Sequence, residues 1–512
     1  MNNGVNVSGN FMARRSSKEN FISINRKIPY GLFNVETDDN QNITKEFNEI
    51  LGFYSVYKEG ANFIPEGTQG GKIIAEDMRH LLVSNLIDKQ ARFLFANTPT
   101  ITANIKGAAE EISDEDKNAI SIINSLMKKV LSENKFEAEL LKAAKDCFIG
   151  KRVAVLLNFN EEDGITISFM NSISFLFEYD GAGKELTMFV AFQQINNTNG
   201  TDSNIFFKKR YDKIEGVIYL SEVIVDSSGN EIEVITDNQA MEIDFIPAVV
   251  ILNDGLLDDT DGESDVQTIE KYESRYSKLS AADIDAMSRS MNPIKWIADG
   301  SRNTVSNLPH AAGSVWDLQT SHDSPNNQQV KTGVIESNMA YSGPLKATLD
   351  RIKSMAYNNL DIPDVDLEKL SGVITSGKGM RAIYWNLIIR CQEKMKEWGP
   401  KIEQLMNMLI DASFVYSGIA KQYIEDVDLI PIDYEVLVEQ NTPIPEDEDA
   451  EKEIAMSEVS LQIMSRKSYM SKWRGLSEKQ IEAELQQIAL EREILDEGAF
   501  SHGSDFGVVG EE

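Results

Sequence analysis

The chain has 512 residues, 42% of them hydrophobic, enough for a large core and for roughly two to four folding units. Its 82 acidic against 50 basic side chains leave a formal charge of −32, which excludes a surface that grips nucleic acid as a whole and confines any such contact to local patches. Two cysteines (Cys147, Cys391) and four scattered histidines (His80, His310, His322, His502) argue against a disulfide framework or a histidine metal site, and no stretch reaches the roughly 18 apolar residues of a membrane span.

Residues 1–26 are polar and lack an apolar run, which predicts a mobile arm and no signal peptide. Ile74–Phe95 predicts a helix, with Leu81, Leu82, Leu86 and Phe93 near helical spacing. Ser113–Leu131 and Glu133–Asp146 predict two more, the first opened by Ser113 ahead of Asp114, Glu115 and Asp116, where negative charge meets the helix dipole. From Arg152 the period changes to two. Val153–Leu157, Ile165–Phe169, Ser174–Glu178, Leu186–Val190, Gly216–Leu220 and Glu231–Ile235 alternate like strands, and this β-rich block ends near Leu252.

An acidic stretch, Asp258–Asp265, leads into a predicted helix over Ser264–Arg289 with Val266, Ile269, Tyr272, Tyr276, Leu279 and Met287 as its stripe. Asn292 and Pro293 break it. Residues 293–333 form a short excursion with strand-like pieces at Ile294–Ile297 and Gly313–Trp316, and a second helix is expected over Ser337–Asn359. Leu360–Lys378 is a Pro- and Gly-broken loop. Gly379–Tyr416 is a very long helical pattern with Gly399 and Pro400 inside it, where a missing backbone N–H predicts a kink. Ile430–Val438 reads as a strand. Two helices, Ala450–Met464 and Ser477–Leu495, then follow an acidic run, Glu446–Asp449, with Ser477 and Gln480 set as a capping box. The Gly-rich, acidic stretch from residue 498 reads as a disordered tail.

Three motifs invite chemistry. Gly372–Lys378 matches the first seven positions of a phosphate-binding loop, but Gly379 stands where a Ser or Thr must hold magnesium, and polar Asp364–Ser371 replaces the buried strand such a loop follows. Asp258–Asp265 looks like a calcium loop; aligning Gly262 with that loop's fixed glycine puts Leu257 and Thr268 where acidic ligands belong, so helix capping explains it better. Arg466, Lys467, Lys472 and Arg474 around Tyr469 and Trp473 mix basic with aromatic residues as nucleic-acid patches do, yet a solvated, partly packed helix connection accounts for them better, and the basic run Lys208–Arg210 is discounted in the same way. No Ser–His–Asp or Cys–His grouping is recognisable, so no catalytic residue, cofactor or metal is expected.

The order of these pieces resembles the portal protein of tailed double-stranded-DNA bacteriophages, of the siphophage type. Gly262-Glu263-Ser264-Asp265 before the first long helix resembles the family's stem start, and Asn292-Pro293 the start of its clip. Leu360-Asp361-Ile362-Pro363-Asp364 followed by Ser376-Gly377 resembles the segment ahead of its kinked helix; Tyr434–Pro443 and Ile463–Ser468 resemble the strand and the beginning of the crown. The similarity spans about 28–496, and Lys378-Gly379 departs from it where small apolar residues are more usual.

The resemblance implies an α+β portal fold divided into a mobile arm (1–27), a wing (28–260), a stem helix (261–291), a clip (292–336), a second stem helix (337–360), a tunnel loop (361–378), a long kinked helix with a wing strand (379–440), a crown (441–497) and a tail (498–512). It implies a ring of twelve copies at one capsid vertex, assembled in the host cytoplasm. The ring conducts double-stranded DNA during packaging and ejection. It docks the terminase large subunit and then a head-completion or adaptor protein, and it meets the major capsid and scaffolding proteins. No membrane contact is implied. Lys369, Ser376, Gly377 and Lys378 would face DNA from the tunnel loop. A P-loop ATPase motor and a capsid or baseplate protein without a channel are the alternatives.

Overall fold

Stretches of period 3.6 and period 2 become helices and antiparallel strands in the expected order. The computed structural model describes residues 37–60, 80–106, 113–181, 183, 185–195, 205–226, 229–256, 261–291, 294–298, 331–335, 339–365, 377–424, 429–443, 448–476 and 480–490. These fall into two units, one within 1–364 and 385–443, the other within 365–384 and 444–512.

The first unit opens with helix α1 (Thr37–Glu59), which the sequence reading missed because its first half, TDDNQNITKE, carries almost no apolar stripe. Helix α2 (Leu82–Phe95) starts later than expected, and residues 74–79 lie outside the described residues. Strand β1 (Thr100–Ile105) was also missed. Helix α3 (Asp114–Glu133) begins where Ser113 predicted: its hydroxyl accepts from the Asp116 N–H at 3.0 Å while the Asp116 carboxylate accepts from the Ser113 N–H. Helix α4 (Phe136–Gly150) follows.

Strands β2 (Arg152–Asn160), β3 (Gly164–Asn171), β4 (Phe175–Tyr179), β5 (Leu186–Ile195), β6 (Ile205–Ile214), β7 (Val217–Val225), β8 (Glu231–Ala240) and β9 (Ala248–Leu252) build two antiparallel sheets, ordered β3-β2-β9 and β4-β5-β6-β7-β8. Ala154, Leu156, Phe175, Phe189, Tyr211, Ile218, Ala248 and Val250 close the core between them. Strand β6 is a correction: Lys208, Lys209 and Arg210 hid it by breaking the apolar alternation. Their charges are answered within the sheets, Lys209 by Glu222 at 3.1 Å and Asn158 at 2.9 Å, and Arg210 by Asp212 through two bonds. At the β2–β3 turn Gly164 has φ +71°, and the Tyr423 hydroxyl sits where a side chain would stand, accepting from the Ile165 N–H at 2.8 Å.

Helix α5 (Asp265–Met291) has 27 residues and is therefore about 40 Å long. Strands β10 (Ile294–Ala298) and β11 (Lys331–Ile335) pair antiparallel with Ile294 opposite Ile335, so the chain returns beside its point of departure. The strand expected at 313–316 lies outside the described residues. Helix α6 (Ser342–Asn359) then packs along α5, preceded by a single 3-10 turn where the sequence predicted α-helix. Helix α7 (Gly377–Ile383) belongs to the second unit.

Helix α8 (Trp385–Val415) buries Leu387, Ile388, Cys391, Trp398, Ile402, Leu405, Met406 and Leu409, and packs on β9 and on β12 (Tyr434–Glu439), which pairs with β1. The expected single helix over 379–416 is thus two helices with Tyr384 between them. A short helix, α9 (Ser417–Ala420), completes the helices of this unit. The second unit adds α10 (Glu448–Ser460), α11 (Arg466–Arg474) and α12 (480–490). Helix α11 holds the basic–aromatic cluster; Ser465 caps its start and Gly475, at φ +62°, its end. Ser477, the expected cap of the last helix, lies outside the described residues.

Candidate functional site

Of the residues expected to face DNA, Lys369 and Ser376 lie outside the described residues, while Gly377 and Lys378 open α7. Residues 362–365, ahead of the phosphate-loop motif, have no strand, and residues 372–376 of that motif lie outside the described residues. Gly399 and Pro400 sit within α8, with no helix end between them and its C-terminus. Pro400 is on the exposed face, where water can hydrate the Lys396 carbonyl that loses its donor. The residue before them, Trp398, is 1% exposed and stands edge-on to Phe95 of α2 with ring centres 5.0 Å apart.

The strongest grouping of charge is one the sequence reading did not find. It lies where α5 begins. Gly262, at φ +74°, turns the chain so tightly that a Cβ would stand 2.6 Å from the Lys151 carbonyl. The Ser264 hydroxyl donates to the Ile149 carbonyl at 2.6 Å and accepts from the Val266 N–H, tying the helix start to α4. Asp265 follows, buried. Its carboxylate accepts from Gln90 of α2 at 3.0 Å and from Arg390 of α8 at 3.1 Å. One turn beyond Arg390, the Lys394 ammonium lies 3.5 Å from both Asp265 oxygens and 2.6 Å from both Asn253 and Asp254, just past β9. Only 2% of the Lys394 side chain is exposed, and its ammonium lies 4.9 Å from the centre of the Phe148 ring.

Buried Lys394 and half-buried Arg390 thus share two carboxylates, and helix α5, helix α8, strand β9 and helix α2 meet there. A buried charge without a partner is very unfavourable, so each element fixes the others. Further along, α5 caps α2: the Glu273 carboxylate accepts from the Val83 N–H at 2.5 Å, supplying the N-terminal cap that Leu81 cannot, and the Ser277 hydroxyl accepts from the His80 N–H at 3.2 Å. On the other side Arg152, 2% exposed, pairs with Glu46 of α1 at 2.8 Å and Asp261 at 3.0 Å beneath the rings of Phe175 and Phe177. The sequence hinted at this hub through Gly262–Asp265 and through Arg390 and Lys394 spaced i, i+4. Burial of Lys394, which makes it matter, has no sequence signal.

The hub is structural chemistry. Burial pushes the Cys391 thiol up to about 12, and it also raises Cys147 against the lowering effect of Lys394, so neither is a thiolate nucleophile. A cleft of about 280 Å³ between β9 and α8 is lined by Lys213, Asp244, Lys401 and Tyr179 among others, with no serine, cysteine or histidine to make a nucleophile–base pair. No helix among the described residues is long and apolar enough to cross a membrane.

A pair of long helices carrying a strand pair at their tip, anchored by a buried ionic root in a β-rich body, defines a mixed α+β scaffold. The family described as "Phage portal protein, SPP1 Gp6-like" matches residues 40–497, and the chain belongs to it. It is a phage portal protein, a component of the capsid's portal vertex that serves DNA packaging. No curated protein matches the chain.

Proposed function

We propose that the chain is the subunit of a closed twelve-membered ring whose bore passes double-stranded DNA during packaging and ejection, and that it has no enzymatic step of its own. The family match over 40–497 carries this reading. One feature of the helices supports it. Helices α5 and α6 leave exposed apolar residues, Ile284 and Met287 on one and Met355 on the other, as a helix pair does when a neighbouring copy covers it. A head-to-tail contact repeated around a closed ring satisfies every such face with one interface.

In this reading α5 and α6 form the stem, β10 and β11 belong to the clip, 361–378 is the tunnel loop, 441–497 is the crown, and Gly399–Pro400 bends α8. The clip receives the terminase large subunit, which supplies the ATP hydrolysis, and later an adaptor protein. The wing meets the major capsid and scaffolding proteins during assembly in the host cytoplasm. Twelve copies multiply the charge of −32 to about −384, so the bore repels a duplex that would otherwise stick. Screening confines that repulsion to roughly 8–10 Å, the scale of a narrow channel. Lys369 and Lys378 add brief, sequence-blind phosphate contacts. Negative-stain images of the purified chain viewed down the axis test the ring: a central hole is expected, and a monomer at micromolar concentration would sink the proposal.

A further inference from the structure

The five-stranded sheet ends in β8, and among the described residues β8 pairs on one side only, with β7. Its ten residues stand in solvent on both faces, with Ile232 56% exposed, Val234 50% and Ile235 43%. A long edge with branched apolar side chains is a template for another strand. The edge is also acidic: Glu231, Glu233 and Asp237 lie on it and no basic residue does. Glu231 additionally acts on Lys208 of β6. Pairing of two β8 copies would crowd like charges onto one ribbon, so the fitting occupant is a basic strand.

The chain carries one. Arg14, Arg15, Lys18, Arg26 and Lys27 face a single acid, Glu19, across residues 14–28 of a chain whose net charge is −32. Within that stretch, Ile22, Ile24 and Ile28 alternate with Ser23, Asn25 and Lys27 at period two, with Arg26 on the isoleucine side, and Pro29 ends the pattern. Of the other basic clusters named above, the one on α11 is helical and has no edge to offer, and Lys208–Arg210 lies in β6, already paired on both sides. We infer that residues 21–28 add to β8 as a further strand of the sheet, held by backbone hydrogen bonds and steered by opposite charge.

The lengths agree. Residues 29–36 link this segment to α1 and span at most about 28 Å when extended. Strand β8 stands four strand spacings, about 19 Å, from β4. The rings of Phe175 and Phe177 in β4 lie over Arg152, which α1 holds through Glu46. A linker of about 28 Å is thus of the same order as the width of the sheet.

Hydrogen exchange on the assembled full-length protein tests the inference. Amides of 231–240 should exchange at least tenfold faster in Ile24→Pro, which removes a donor and breaks the strand, while those of β2 stay unchanged. Arg26→Glu with Lys27→Glu should do the same, and adding Glu231→Lys and Glu233→Lys should restore protection. A photo-crosslinker at position 24 should capture 231–240, at monomer mass for the same copy or dimer mass for the adjacent one, and either result supports the pairing. Exchange of β8 that ignores all these changes, crosslinks to another element, or protection of β8 that appears only when other virion proteins are present would overturn it.

Discussion

Lys394 of α8 ties α5 and the end of β9 together through one ammonium. Replacing this lysine with Met leaves Asp265, which is buried, and Asp254 with Arg390 as their one remaining shared cation, and should lower stability by about 3 kcal/mol, read as an earlier urea midpoint. Adding Asp265→Asn should cost much less than the sum of the two single changes, because both remove the same interaction. An additive result would show that the hub is not coupled. His80 offers a milder case. Burial lowers its pKa from 6.5, so the unfolded chain binds the proton more readily than the folded one. Its contribution is therefore intact above pH 6.5 and is lost as the pH falls through the folded value. His80→Phe keeps the ring contact with Tyr276 and should flatten that part of the pH dependence of the unfolding temperature.

At the scale of elements, Pro400 is a proline inside a 31-residue helix. Pro400→Ala restores a backbone donor at an exposed position and should stabilise the chain by on the order of 1 kcal/mol, the helix gain being partly offset by a looser unfolded state. If the bend expected at Pro400 forms and serves the ring, packaging falls although stability rises; unchanged packaging would reject that use. The elements also show what a sequence discloses. The helix starts at Ser113 and near Asp265 were readable because capping chemistry is local, and so were most strands because burial on one face imposes a period of two. Strand β6 and helix α1 were not, since their polar residues are answered by partners distant in sequence, Lys209 by Glu222 and Glu46 by Arg152. The ionic hub failed for the same reason: nothing local to Arg390 or Lys394 says that Asp254 and Asp265 will be beside them.

For the whole molecule the central expectation is mechanical. On the proposed tunnel-loop role, Lys378→Glu should leave rings intact in electron micrographs while reducing the DNA retained in assembled particles, since it would add a negative charge to a lining proposed to repel the duplex. Normal DNA content would remove the tunnel-loop role and leave the ring untouched. Nucleotide binding at millimolar ATP that disappears in Lys378→Ala would instead restore the motor alternative, against the glycine that stands at the magnesium position.

The two thiols have a practical consequence for all these experiments. Cys147 and Cys391 are both sealed in the interior and are poor nucleophiles there. Maleimide dyes should pass the native particle by, so a single cysteine placed on an outer surface can be labelled without first removing the natural pair. Whatever slow background reaction remains then becomes a clock, counting how often the body around helix α8 breathes open.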